Sequence, residues 1–356
     1  MKTGDFMRRR IVYLLAAWSS VLVLYGEATV VRTQWLSLEA GWNAVFLEVE
    51  PTDGAPDAVF AGTPVDVAAR YFALRSPVQF IRDPADAPWN QPGWGVWYAP
   101  GRPDAFLTSL HAIQGRKAYL LHATSSCRLQ VTGQVRFDRL RWQADSFNLV
   151  GFALDEQAPP TFARFFAGSG GRIGQRIYRL APGGKWQPVT SPASTLMRSG
   201  EAYWIDCRGK TDYQGPLDIV VPGGGELDFG AGTGVLQIRL HNDSDELTTL
   251  SLEAVDDSGD LPLVQVRRDP ATFETSYADL RSRTALPDLE AGQAASLRLQ
   301  VRREAMTADE QCRLVRLTSS QGLRFDIPVR GITLCKSESR RDRKTLLRHG
   351  NFDHPE

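Results

Sequence analysis

Beyond residue 235 the chain alternates between apolar and polar positions. Leu236, Ile238 and Leu240 stand against Gln237, Arg239 and His241, and the same period of two returns in "ASLRLQVRR" (residues 295–303) and "LRFDIPVRG" (residues 323–331). Such alternation marks strands with one buried face. The turn-forming stretches "DDSGD" (256–260), "EAGQ" (290–293) and "SSQG" (319–322) cut the region into short strands. About seven strands with turns at these intervals predict an immunoglobulin-like β-sandwich over residues 233–335. No Trp follows Trp204, so the likeness is architectural and lacks the buried Trp of antibody-type cores.

The first half of the chain reads differently. "WLSLEAGWNAVFLEV" is a strand, a turn at Glu39, Ala40 and Gly41, and a second strand, and "KAYLLHATSSCRLQV" repeats this hairpin logic around Ser125 and Ser126. Between them "DAFLTSLHAIQG" sets Asp104 where a helix N-cap belongs, spaces Phe106, Leu107, Leu110 and Ile113 along one helical face, and stops at Gly115. That pattern predicts a short helix.

These motifs occur twice, in the same order. "GWNAVFLEVEP" is answered by "SFNLVGFALDE", "APDAVFAG" by "APPTFARFFAG", "VWYAPG" by "IYRLAPGG", and "GRKAYLLHA" by "SGEAYWIDC"; the copies close at Gly133 and Gly215. Four ordered matches establish an internal duplication. The organisation predicted is a signal peptide (1–28), a first β module (29–135) with an insertion at 63–95, a second module (136–220), a Gly-rich linker (221–232), the sandwich (233–335) and a flexible tail (336–356). The fold class is therefore mostly β: two tandem homologous small β-rich modules with short helices, then an immunoglobulin-like β-sandwich. A module of this size holds its own core only marginally, so the two copies are expected to pack on each other. In "GWN" the Gly makes a turn, the aromatic enters the core and the Asn bonds local backbone at the strand start. That makes the repeat a fold signature before it is a binding signature.

The order of Gly41, Trp42 and Asn43 followed by Ala118, Tyr119, Leu120 and Leu121, matched in copy two by Phe147, Asn148, Leu149 and Val150 followed by Ala202, Tyr203, Trp204 and Ile205, resembles a known module. It recurs in secreted and cell-surface proteins of environmental bacteria and some archaea, where a GWNLVSLP-like strand opens the unit and a GYWI-like strand closes it. The resemblance covers about half the chain and implies a non-catalytic extracellular building block, often followed by Ig-like domains, with no active site attached.

Lys2 and Arg8 to Arg10 precede the apolar stretch "IVYLLAAWSSVLVLY", and Gly26 and Ala28 supply small residues for a signal peptidase. The reading is a cleaved secretory signal with the mature chain starting near Thr29; the alternative is a retained anchor, although the uncharged stretch falls short of the about 20 residues of a bilayer helix. No integral span is expected after cleavage. The formal net charge is zero, which leaves no electrostatic footprint for nucleic acid. An exported chain allows disulfides. Cys312 with Cys335 would close one strand hairpin, and Cys127 with Cys207 is the remaining pairing.

Little catalytic chemistry is written into the chain. It has no HExxH or GxSxG, the five His residues form no ligand spacing, and "GSGGRIG" (168–174) has the wrong spacing for a phosphate loop. "NDSDE" (242–246) and "DDSGD" carry oxygens suited to calcium but lack its loop spacing. No enzyme activity, cofactor or metal is expected. The strongest candidate for ligand binding is the insertion, which gathers Trp89, Trp94 and Trp97 with Asp86 and Asn90, since exposed indoles beside polar groups stack sugars or grip proteins. The functional expectation is a secreted, non-catalytic extracellular or envelope protein with a structural or adhesion role through envelope or extracellular protein partners. Glycan binding by the insertion, with polysaccharide as partner, is the alternative.

Overall fold

The computed structural model describes residues 28–73, 84, 91–255, 259–269, 271–280 and 283–333. The tail from residue 336 and the signal segment, except Ala28, lie outside them.

Copy one contains β1 (Val31–Leu38), β2 (Gly41–Leu47), β3 (Val49–Pro51), α1 (Pro56–Val59), β4 (Val65–Tyr71), β5 (Trp94–Tyr98), β6 (Lys117–Ala123) and β7 (Cys127–Val135). They form two sheets, β1-β7-β3 and β2-β6-β4-β5. The hairpins expected at residues 39–41 and 125–126 are not made. β1 pairs over its whole length with β7, and β2 with β6, so each turn is an arch that carries the chain from one sheet to the other. Burial explains the exchange: Leu36, Leu38, Leu129 and Val131 of the small sheet pack against Val45, Leu47, Tyr119 and Leu121 of the larger one. The arches are tied together, because the Ser126 hydroxyl donates to the Glu39 carboxylate at 3.2 Å and accepts the Ala40 N–H at 3.2 Å.

The helix expected at residues 104–115 is only a 3₁₀ turn at Ala105–Leu107. The following residues run extended beside β5, where Val96 O accepts from the N–H groups of Ser109 (2.7 Å) and Leu110 (3.0 Å), while the Thr108 and Ser109 hydroxyls accept from Tyr98 and Val96 N–H. Hydroxyls that satisfy the edge strand compete with helix formation. Leu110 and Ile113 are buried from this extended path, and Phe106 is left 83% exposed.

Copy two contains β8 (Ser146–Gly151), α2 (Phe162–Phe166), β9 (Ile173–Leu180), β10 (Trp186–Pro188) and β11 (Ala202–Cys207). Its sheet order, β10-β9-β11-β8, reproduces β5-β4-β6-β2 strand for strand. This corrects one motif pairing: "IYRL" lies on β9, the counterpart of β4, whereas "VWY" lies on β5, the counterpart of β10. The region 63–95, expected to be inserted, therefore contains β4 and the start of β5, and the extra chain lies between Tyr71 and Trp94.

The motif residues act alike in the two copies. Asn43 Oδ1 accepts from Glu39 N–H (2.9 Å) and its Nδ2 donates to Glu39 O (2.8 Å) and Gly41 O (3.0 Å). Asn148 does the same with Gln143 N–H (2.8 Å), Gln143 O (3.1 Å) and Ser146 O (3.0 Å). The left-handed turn residue is Gly41 (φ 95) in copy one and Asp145 (φ 54) in copy two, whose turn is one residue longer. The Tyr119 and Tyr203 hydroxyls each accept the backbone N–H five residues upstream, from Gln114 (2.7 Å) and Arg198 (2.8 Å). The motif is a set of staples.

The two four-stranded sheets pack face to face through Ala44, Leu120, Phe147, Trp186, Ala202 and Trp204. Cross-copy contacts are reciprocal, β2 with β11 and β6 with β8. The copy-one sheet is thus covered on both faces, Leu120 on one and Tyr119 and Leu121 on the other, which is why its strands read as unbroken apolar runs.

The rest is an immunoglobulin-like sandwich of β12 (Leu217–Val220), β13 (Leu227–Asp228), β14 (Val235–Asn242), β15 (Leu250–Ala254), β16 (Leu263–Arg268), β17 (Thr275–Asp279), β18 (Thr284–Ala285), β19 (Ala294–Val301), β20 (Glu310–Ser319) and β21 (Arg324–Ile332). The sheets are β12-β14-β19-β16-β17 and β13-β21-β20-β15-β18. The boundaries expected at 220 and 233 shift, since β12 from the end of copy two and β13 from the Gly-rich stretch are both strands of the sandwich. Its core is continuous with that of copy two, where Phe162, Phe165 and Tyr203 pack beneath α2 and β11. The "NDSDE" turn is closed by Asn242, whose Nδ2 donates to Glu246 O, Leu289 O and Glu290 O. Part of "DDSGD" lies outside the described residues. Among the described residues no helix is long and apolar enough to cross a membrane.

Candidate functional site

Of the residues singled out for ligand binding, the two described, Trp94 and Trp97, do not form an exposed platform. Trp97 is 5% exposed, packs on Phe60 at 5.1 Å and donates from Nε1 to Asp57 Oδ1 at 2.8 Å. Trp94 opens β5 and leans on Tyr71 (5.3 Å) and on Trp204 of copy two (6.2 Å). Its counterpart Trp186 packs on Trp204 within copy two at the same 6.2 Å, and both share a core with Ala44, Tyr71 and Leu120 of copy one. Both indoles are pillars of the interface between the copies. Strand alternation puts them there, because residues 94, 96 and 98 share the face turned toward copy two. Trp89, Asp86 and Asn90 lie outside the described residues.

The cysteine pairing 127–207 is likewise not made. Cys127 begins β7 against the copy-one core, Cys207 ends β11 in the core shared by copy two and the sandwich, and both are free thiols. Cys312 is also a free thiol, and Cys335 lies outside the described residues.

His122 is the histidine with the most developed surroundings. Its Nδ1 lies 2.5 Å from Asp66 Oδ1, and its ring meets Trp42 edge-on at 5.2 Å. Asp66 also pairs with Arg102, which forks onto Asp104. The same position in copy two holds Asp206, paired with Arg176 at 2.8 Å. A polar side-chain pair at this bulge is thus kept while its residues change. Among the described residues, no group of three or more His, Cys, Asp and Glu is placed to hold a metal ion.

The most developed polar site is one the sequence reading missed. Glu48, 4% exposed between β2 and β3, accepts from Arg32 Nη2 at 2.5 Å, from Arg324 Nη2 of β21 and from Ser199 Oγ of copy two at 2.7 Å. Asp326, beside it on β21, accepts from Arg316 Nε at 2.7 Å. Gln34 completes the frame, its Nε2 donating to Phe46 O and its Oε1 accepting Glu48 N–H. Burial by itself would push both carboxyls up. For Glu48, Arg324 and Arg32 outweigh it, and for Asp326, Arg316 and Arg324 do; each is held below its usual range. One carboxylate therefore joins copy one, copy two and the sandwich. The available signal was a lone Glu interrupting the apolar run "AVFLEV".

Among the described residues, the outer face of the sheet β12-β14-β19-β16-β17 is open. Arg239 and Arg298 project from neighbouring strands of that face, Arg239 opposite Ser296 and Arg298 opposite Gln237, and neither has an ionic partner among the described residues. Around them Val220, Val235 and Tyr277 are 40%, 45% and 55% exposed. A shallow groove of about 280 Å³ runs between β12, β14 and β19, lined by Val220, Arg239, His241 and Ser296.

No family model matches the chain, and no curated protein matches it. Solved structures resemble about a third of it. The ASH / PapD-like domain of human CEP192 aligns over 33% of this chain and 85% of its own, with 8% identity and a TM-score of 0.21. The CsuC–CsuE chaperone–tip adhesion subunit pre-assembly complex of Csu pili from Acinetobacter baumannii aligns over 37% of this chain and 66% of that chain, with 14% identity and a TM-score of 0.20. A FixG-related protein from Vibrio parahaemolyticus aligns over 33% and 94%, with 11% identity and a TM-score of 0.21. At these values the likeness bears no functional weight.

Proposed function

We propose that this protein is an exported, non-catalytic component of the cell envelope or extracellular space that serves surface structure or adhesion by binding other proteins. The observation that carries the reading is the sandwich face where Arg239 and Arg298, without an ionic partner among the described residues, stand among exposed Val220, Val235 and Tyr277. Arg and Tyr beside apolar side chains are the composition enriched at protein interfaces. The buried junction at Glu48 supports it, because it fastens three modules into one body suited to presenting a surface. The signal-like N-terminus supplies the expectation of export, and the resemblance to duplicated surface modules agrees with it.

The test is fractionation of the producing cells combined with in-cell crosslinking from cysteines placed at Val220 and Tyr277. The expected result is a chain processed near Thr29, outside the cytoplasm, with a discrete crosslinked protein that an Arg239→Glu/Arg298→Glu variant loses. An unprocessed cytoplasmic chain would sink the export reading. Crosslinks unchanged by the charge reversal would sink the assignment of the face.

A further inference from the structure

The outer face of β1 and β7 carries a second, chemically different surface. Along β1 the buried positions are Gln34, Leu36 and Leu38, and along β7 they are Leu129, Val131, Gly133 and Val135; the alternate positions turn outward. Outward from β1 stand Thr33, Trp35 and Ser37, and outward from β7 stand Arg128, Gln130 and Thr132. The register sets Trp35 directly opposite Gln130, Thr33 opposite Thr132 and Ser37 opposite Arg128. The result is one indole on a flat sheet among hydroxyls and amides.

We propose that this face binds an uncharged polysaccharide chain, with the Trp35 indole as the stacking platform and Gln130, Thr33 and Thr132 as hydrogen-bonding neighbours. Trp35 is 48% exposed, although an indole is among the side chains that gain most from burial. The ring is held in place: the Arg128 guanidinium lies 4.5 Å from its centroid. An aromatic fixed before binding loses little freedom when a ligand stacks on it. The Trp35 indole N–H makes no hydrogen bond among the described residues, and the Thr33 and Thr132 hydroxyls are 2.9 Å apart, a pair that can both donate and accept.

Charge selects the ligand class. The outward cation within β1 and β7, Arg128, lies against the indole, and the carboxylate at the rim, Glu50, accepts Gly115 N–H at 2.7 Å. These opposite charges leave the face, among the described residues of β1, β7 and β3, without a one-sign field to recruit a polyelectrolyte, and the hydroxyl and amide groups match a neutral sugar better than they match the apolar centre of a protein interface. Copy two provides the contrast. The Trp before its turn, Trp142, is only part-exposed and donates from Nε1 to Tyr213 O at 2.7 Å. The same stretch of the module thus folds its Trp inward in one copy and displays it in the other.

The experiment is native affinity electrophoresis of the full mature chain in gels containing hydroxyethyl cellulose, soluble β-1,3-glucan, xylan or dextran, with polygalacturonate as the anionic arm. Trp35→Ala and Gln130→Ala are run beside the parent, with melting curves to show that both still fold. Retardation by at least one neutral polymer is expected, weakened about tenfold or more in Trp35→Ala, the scale of losing one stacked hot-spot aromatic, and severalfold in Gln130→Ala. No retardation in any neutral gel overturns the proposal, as does retardation that Trp35→Ala leaves intact. Retention by polygalacturonate alone would mark a charge effect. A Trp35→Ala variant that changes oligomeric state in sedimentation without changing sugar retention would give the face to a second copy of the chain.

Discussion

Asn43 and Asn148 make the same three hydrogen bonds at equivalent points of the two copies: one accepted backbone N–H and two donated bonds to backbone carbonyls. The equivalence persists although the residue before each differs, Trp42 in one copy and Phe147 in the other. The staple is the same at both places, while the aromatic beside it differs. Asn148 is 3% exposed, so replacing it with Ala strands backbone groups away from water. Asn148→Ala is expected to cost roughly 2–3 kcal/mol and Asn43→Ala, at a wetter site, about 1 kcal/mol. Urea unfolding of the two variants checks this, and a larger loss for Asn43→Ala would contradict the assignment.

Glu48→Gln keeps the side-chain shape while removing the charge that Arg32 and Arg324 share. Unpairing buried partners in this way costs about 3–5 kcal/mol. Because the site joins three modules, unfolding is expected to split from one transition into two, which calorimetry resolves. A single transition at the parent temperature would show that the junction contributes nothing.

The same carboxylates set an acid limit. Glu48 and Asp326 have folded values lowered from 4.5 and 3.8, so they bind fewer protons in the folded than in the unfolded state. Their stabilisation is fully present above the unfolded values and is lost as pH falls through the folded ones. Stability should hold from neutral pH down to about 4.5 and fall below it, and Glu48→Gln should flatten that fall. An acid limb equally steep in the variant would assign it to other groups.

Gly151 sits where β8 meets copy one. A methyl group there would stand 2.3 Å from Phe46 Cβ and 2.7 Å from Glu201 O, and the second of these is backbone. Gly151→Ala is therefore expected to lose about 3 kcal/mol through overpacking. Thermal melts followed by near-ultraviolet circular dichroism should show the aromatic interface loosening first. A melt matching the parent would mean that the copies pack less closely than described.

Cys207 is buried, and that burial, followed by the charge of Asp206, pushes its thiol up to about 11. At pH 8 iodoacetamide should leave it unmodified in the native chain and alkylate it once the chain is unfolded without reductant. Failure to alkylate under those conditions would reveal a disulfide at this position.

By itself the sequence determined the elements that depend on near neighbours. The period of two in the sandwich and the turn at Glu39, Ala40 and Gly41 rest on near neighbours and were legible, as were the three motif pairs that fall on matching elements, β2 with β8, α1 with α2 and β6 with β11. The choice of strand partner was not. Turns at residues 39–41 and 125–126 are chemically fit for hairpins, and only the burial of Leu36, Leu129, Val45 and Tyr119 against one another sends β1 to β7 and β2 to β6. Packing likewise decided which tryptophans show. Trp94 and Trp97 lie in a stretch rich in Gly and Pro, yet copy two and α1 cover them, while Trp35 in an ordinary strand pattern is left in the open. Exposure is a property of what lies across from a residue, and for Trp35, Trp94 and Glu48 the residues across come from elsewhere in the chain.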